Sequence, residues 1–201
     1  MREDREEAIA TAAYHLLEQQ GFAGTTMQAI AREARASMET FYRWYGDRTG
    51  LFRALIARNT TEVASVLDGL SDAGLSPADQ LDRVGTTLLT MLLGERAVAL
   101  NRAAAADPTG ALGAALALGG REALLPRLET MMQRALDAGH FLAPDADARA
   151  LTDLWLTLLI GDLQIRRVTG ALPPQPPEAI ARRSATALVT LSRLYAPAFS
   201  T

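Results

Sequence analysis

Cysteine and lysine are both absent from these 201 residues. Without cysteine there is no disulfide framework, no thiol nucleophile and no thiolate-ligated zinc or iron–sulfur centre. Without lysine there is no Schiff-base amine and no phosphate loop of the Walker type, which depends on its lysine. Histidine is almost as scarce: His15 and His140 stand alone and far apart. Each reads as a structural side chain, so no metal and no cofactor is expected. Long apolar runs are missing too. The best candidates, 110–120 and 154–161, fall well short of the roughly 20 residues that span a bilayer. The opening MREDREEAIATAA is acidic and soon periodic, unlike a signal peptide, so a cytoplasmic protein with no membrane association is expected.

What remains is rich in alanine, leucine and arginine. The 20 basic residues, all arginine, face 23 acids, for a net charge of −3. That balance argues against a uniformly basic coat for nucleic acid while leaving room for a local one. Between Phe22 and Arg53 five arginines (32, 35, 43, 48 and 53) outnumber three acids (33, 39 and 47). No stretch alternates apolar and polar residues as a strand would, so the fold class is all-α.

Helical periodicity divides the chain. Ile9, Ala12, Ala13, Leu16, Leu17 and Gln20 form one stripe on a first helix that Gly21 ends. Thr25-Thr26-Met27-Gln28 has the Thr-x-x-Gln capping pattern, which makes Thr25 the expected cap of a short second helix. Ser37 is the expected cap of a third helix from Met38 to Tyr45, and Gly46-Asp47 introduces a fourth carrying Leu51, Phe52, Leu55 and Ile56. Two short helices joined by so brief a turn form a helix-turn-helix. After a loop at 69–74, Ser76-Pro77 opens a helix to about Leu93 and Glu95 opens another to Ala106. A helical stretch from Thr109 to Ala138, with breaks expected near Gly119-Gly120 or Pro126, follows. The most hydrophobic long helix is expected over 145–168, and a last one over 178–195.

Over residues 9 to 52 the pattern resembles the TetR family of bacterial transcriptional regulators. Ile9, Ala12-Ala13, Leu16, Gly21-Phe22, Thr25-Thr26-Met27, Ile30-Ala31, Ala34, Ser37, Thr40-Phe41-Tyr42, Tyr45 and Leu51-Phe52 carry it. Four positions depart from the family pattern. Arg35 stands where a glycine is usual in the turn, Glu39 where a small residue is common, Trp44-Tyr45 in place of His-Phe, and Arg48 in place of a lysine that touches DNA backbone. The resemblance implies a homodimeric regulator, usually a repressor, that leaves a palindromic operator when a small ligand binds.

On that basis residues 1–50 are expected to form the helix-turn-helix DNA-binding domain and 51–201 a helical effector-binding and dimerisation domain. Met38, Glu39, Thr40 and Arg43 would lie on or near the groove side, with Arg43 reading guanine and Thr40 meeting a thymine methyl. Thr25, Thr26, Tyr42, Trp44 and Arg48 have donors suited to phosphate oxygens. Met91, Asn101, Met131 and Trp155 are candidates for lining a pocket for a small apolar ligand. The helices at 145–168 and 178–195 are wide enough in apolar surface to pair with a second copy as a four-helix interface. Two rival readings are a helical interaction module that has lost DNA binding and an all-helical enzyme using Asp153 or His140. No nucleophile–base pair or metal set stands at usable spacing for the latter, so no catalytic residue is assigned.

Overall fold

The computed structural model describes residues 2–70, 74–143 and 145–195, and the backbone alone of Glu62. Among the described residues all regular structure is helical. The chain divides into two compact units, Met1–Thr60 with Glu95–Arg121 and Thr61–Gly94 with Glu122–Thr201. The centre of the loop expected at 69–74 lies outside the described residues, as do the last residues of the expected second domain, 196–201.

The first unit opens with α1, Arg2–Gly24, whose helical geometry is interrupted at Gly21 (φ 66°, ψ −173°). The stripe expected on it is real: Ile9, Ala12, Ala13, Leu16 and Leu17 are buried, and Gln20 lies beyond its exposed end. Helix α2 spans Met27–Glu33 and α3 spans Met38–Tyr45. The cap of α2 is Thr26, whose hydroxyl accepts from Ala29 N–H at 3.1 Å. This corrects the expectation of Thr25, whose hydroxyl instead donates to the Gly21 carbonyl at 2.7 Å and is fully buried. One residue of shift follows because Thr25 is needed to close the end of α1, leaving its neighbour to open α2. Ser37 caps α3 as expected, accepting from Thr40 N–H at 3.2 Å. Asp47 accepts from Gly50 N–H at 2.7 Å at the start of α4, Arg48–Leu70.

Helix α4 contributes Leu51, Phe52, Leu55 and Ile56 to the apolar centre of this unit, where they join Ile9, Ala13, Leu16, Ile30 and Phe41. Helix α6, Glu95–Ala105, packs along α1 and adds Leu100 and Ala103, and α7, Ala111–Leu116, adds Leu112 and Ala115. Between Ala117 and Glu122 the backbone widens to a π-helix, at the place where Gly119-Gly120 foretold a break. Here Thr60 donates to the Gly119 carbonyl at 3.2 Å, and a Cβ on Gly119 would stand 2.9 Å from an Ile56 methyl.

The second unit is built from the end of α4, α5 (Pro77–Leu93), α8 (Ala123–Asp137), α9 (Ala148–Ile160), α10 (Leu163–Thr169) and α11 (Pro177–Leu194). Pro126 lies inside α8 without ending it. Trp155, Leu151, Leu159, Leu81, Leu89 and Met132 are the large fully buried side chains of its core. The single helix expected over 145–168 is two helices. Asp147 caps α9 by accepting from Ala150 N–H at 2.8 Å, and Gly161, at φ 51°, breaks the chain before α10. A Cβ at Gly161 would also meet an Arg183 nitrogen at 2.9 Å, and that arginine donates from Nε to the Leu159 carbonyl at 2.9 Å. A cation on the terminal carbonyls thus secures the end of α9. Buried Arg167 does the same for α5, donating to the Leu93 carbonyl at 3.1 Å.

Candidate nucleic-acid interface

Helices α2 and α3 are short, so their orientation depends on the apolar side chains behind them. Phe41 is fully buried and its ring meets Tyr45 edge-on at 5.8 Å between centroids, while Tyr45 meets Trp44 at 6.3 Å. Phe22, just past the break at Gly21 in α1, packs edge-on to Phe52 of α4 at 5.7 Å. These aromatic contacts fix α3 on the bundle and determine which of its residues reach outward.

The outward set is Glu39, Tyr42 and Arg43, all exposed, with the cap Ser37 ahead of them and Tyr42 61% accessible. Thr26 is exposed at the head of α2. Met38 and Trp44 are half-buried at the edge of the apolar centre, and the Arg2 guanidinium lies 5.3 Å from the Trp44 ring. Thr40 is placed differently from the groove-side position expected of it: it is buried and its hydroxyl shares a 2.9 Å hydrogen bond with Ser37. Thr25 is likewise buried. Both threonines therefore act from behind the surface, as braces of the helix ends.

Arg48 is half-buried and oriented. Its guanidinium lies over the Phe22 ring at 3.7 Å and donates from Nη2 to the Phe22 carbonyl, which ties the start of α4 to the turn before α2. Burial lowers its pKa from the ordinary value, and the nearby Asp107 carboxylate opposes that shift. The Asp107 pKa is lowered from the ordinary carboxylate value, first by the Leu112 N–H it accepts at 3.0 Å and then by Thr109. His15 pairs with Glu33, joining α1 to α2.

Sequence reading missed a second ionic junction. Glu7 of α1 holds Arg58 of α4 and, at 3.2 Å, Arg96 of α6, whose guanidinium also lies 5.5 Å from the Tyr14 ring. Burial raises the Tyr14 hydroxyl to about 12. Nothing in local spacing joins positions 7, 58 and 96; only the packing of three helices does.

The four pocket candidates are divided between the two units. Met91, Met131 and Trp155 belong to the second unit and to its apolar core. Asn101 belongs to α6 in the first unit, where its amide donates to the Ala97 carbonyl at 2.9 Å. Met131 also borders a cleft of 230 Å³ whose rim carries Asp68, Arg127 and Arg134. The Trp155 indole N–H is buried without a hydrogen-bond partner among the described residues. No grouping of His, Asp and Glu among the described residues would hold a metal, and no helix among them is long and apolar enough to cross a membrane.

Two family models match the chain. Residues 9–55 match bacterial regulatory proteins of the tetR family, and residues 79–197 match the C-terminal domain of AefR-like transcriptional repressors. A comparison with curated protein sequences finds no match. Among solved structures, a TetR transcriptional regulator from Agrobacterium tumefaciens is 27% identical with a TM-score of 0.72, over 95% of this chain and 94% of that one. A TetR-family regulator from Mesorhizobium loti MAFF303099 is 22% identical with a TM-score of 0.76, over 96% and 97%. The SmeT protein in complex with triclosan is 22% identical with a TM-score of 0.75, over 98% and 93%.

Proposed function

The chain belongs to the tetR family of bacterial regulatory proteins and is a DNA-binding transcriptional regulator; on that footing we propose that it is a homodimeric repressor of a palindromic operator, released by a small, mainly apolar ligand. The observation that carries this reading is the braced helix-turn-helix: Ser37 caps α3, Phe41 anchors it, and Glu39, Tyr42 and Arg43 are left facing outward. We assign the DNA-binding domain to residues 1–50 and effector binding and dimerisation to 51–201. Arg43 reads a base edge, with Met38 and Glu39 beside the groove. Thr26, Tyr42, Trp44 and Arg48 meet phosphates, and buried Thr25 and Thr40 hold the helix ends that present them.

Arg48 suits its role because the Phe22 ring and carbonyl hold one side of its guanidinium, so little side-chain freedom is lost when the remaining donors meet a phosphate. For the effector, Met91, Met131 and Trp155 offer apolar surface, and the unpartnered indole N–H favours a ligand that carries one hydrogen-bond acceptor. SmeT, by the description of its structure, binds triclosan, a precedent for a ligand of that kind in a similar fold.

A mobility shift on DNA flanking the protein's own coding region, against an unrelated duplex of equal length, tests the reading. Preferential retention of the flanking DNA, with a steep fall in affinity as salt rises, is the expected result. Equal retention of both duplexes at every salt concentration would overturn it.

A further inference from the structure

The turn between α2 and α3 contains Arg35 at φ 50°, the one non-glycine residue with a left-handed backbone among the described residues. That conformation follows from how α2 ends. Ala36 N–H donates to the Ala31 carbonyl at 2.9 Å and Arg35 N–H to the Arg32 carbonyl at 3.3 Å, the paired bonds of a Schellman cap. Helix α8 closes with the same pair, His140 to Ala135 at 3.0 Å and Gly139 to Leu136 at 2.9 Å, and there the left-handed position is Gly139 at φ 75°. The same cap is thus made once with the residue that fits and once with an arginine whose Cβ crowds the backbone. Asparagine and aspartate offset that crowding with short local hydrogen bonds; arginine does not. The Arg35 side chain is exposed and its guanidinium has no partner among the described residues, so nothing within the fold compensates.

We infer that Arg35 is a phosphate-contacting residue of the DNA interface, held in a strained turn because the turn places its guanidinium at the leading end of α3. It stands two positions ahead of Ser37, the cap of α3, at the end of the helix that a helix-turn-helix delivers into the major groove. A planar guanidinium matches a phosphate with two parallel hydrogen bonds. The exposed carboxylate of Glu39 lies in the first turn of α3, where it repels phosphate, and Arg35 supplies positive charge at the same end of the helix. Exposed Arg32, in the last turn of α2, extends that charge. The inference rests on the reading of the chain as a duplex-binding regulator.

The test compares the full-length protein with its Arg35→Gly and Arg35→Lys variants on a mixed-sequence duplex, because a phosphate contact is indifferent to sequence. Arg35→Gly should melt about 2 °C higher, since the turn is relieved. Its slope of log affinity against log salt should be shallower by about 0.9, which is an approximately eightfold loss at about 0.1 M salt. Arg35→Lys should keep the slope. An Arg35→Gly protein with an unchanged slope, beside a wild type that binds, would overturn this inference alone, and a lower melting temperature for it would remove the strain on which the inference stands. A wild type that retains no duplex even at low salt would overturn the duplex-binding reading and this inference with it.

Discussion

The guanidinium of Arg48 lies 3.7 Å from the centre of the Phe22 ring, joining the first turn of α4 to the turn that precedes α2. Arg48→Ala should therefore do two things: weaken binding to every duplex and loosen the bundle. The stability loss should be about 1 kcal/mol, the scale of one hydrogen bond and one cation–π contact. Arg48→Lys keeps the charge without the planar stack, so it should recover the salt slope but only part of the stability. Thermal melts beside salt-dependent affinities separate the two effects, and full stability in Arg48→Ala would count against the stacked geometry.

Gly85 of α5 has the least room for a side chain among the described glycines of the second unit. A Cβ there would stand 2.5 Å from the Ser184 hydroxyl oxygen and 3.2 Å from a Trp155 ring carbon, and Ser184 already donates to the Asp82 carbonyl at 2.9 Å. Gly85→Ala forces α11 or Trp155 to shift, and overpacking of this kind costs about 1–3 kcal/mol. Helix propensity alone would push the other way by about 1 kcal/mol. Chemical denaturation of the variant thus gives a clear sign: a stabilised Gly85→Ala would mean that α5 and α11 are not in close contact here.

Much of this fold is legible because the chain punctuates itself. Gly21, Ser37 and Asp47 each stand where a helix stops or starts, and each does so by a local hydrogen bond or a backbone angle that one residue controls. The break at Gly161 is harder to read, because apolar Leu159-Ile160 and Leu163 flank the Gly161-Asp162 pair and a lone glycine also suits tight packing within a helix. Thr25 and Thr40 were legible as threonines near helix starts, but their burial depends on how α1 ends and on the Ser37 hydroxyl. Arg48 on Phe22 and Glu7 between Arg58 and Arg96 are products of tertiary packing, and no periodicity encodes them.

Asp107 gives the first unit a defined acid response. Its carboxylate accepts the Leu112 and Thr109 N–H groups at 3.0 and 3.1 Å, and its pKa lies below the ordinary value chiefly because of the Leu112 bond. A carboxyl whose folded pKa is depressed stabilises the fold above its unfolded pKa of about 3.9, and that contribution disappears as pH falls through the folded value. Asp107→Ala should thus melt lower than the wild type at neutral pH, with the gap closing below about pH 4. A gap that stays constant from pH 7 to pH 3 would show that the carboxylate has no special place in the turn.

Large apolar side chains remain uncovered in the second unit. Ile165 on α10 is 60% exposed, and Val189 and Leu194 on α11 are 48% and 61% exposed. Single exposed apolar residues are ordinary, but three on α10 and α11 are positions that a second copy could cover about a two-fold axis. Ile165→Glu and Leu194→Glu introduce charges that such an interface would have to desolvate beside their symmetry mates, so each should shift the protein toward monomer at micromolar concentration. Operator affinity should fall with it, because a dimer engages its second half-site at high effective concentration and a monomer does not. Leu118, 61% exposed in the π-helical segment, provides the control: Leu118→Glu should leave both the sedimentation and the operator affinity unchanged. Sedimentation equilibrium decides the matter, since a wild-type monomer, or dimers indifferent to both charges, would mean that these helices are not the pairing surface.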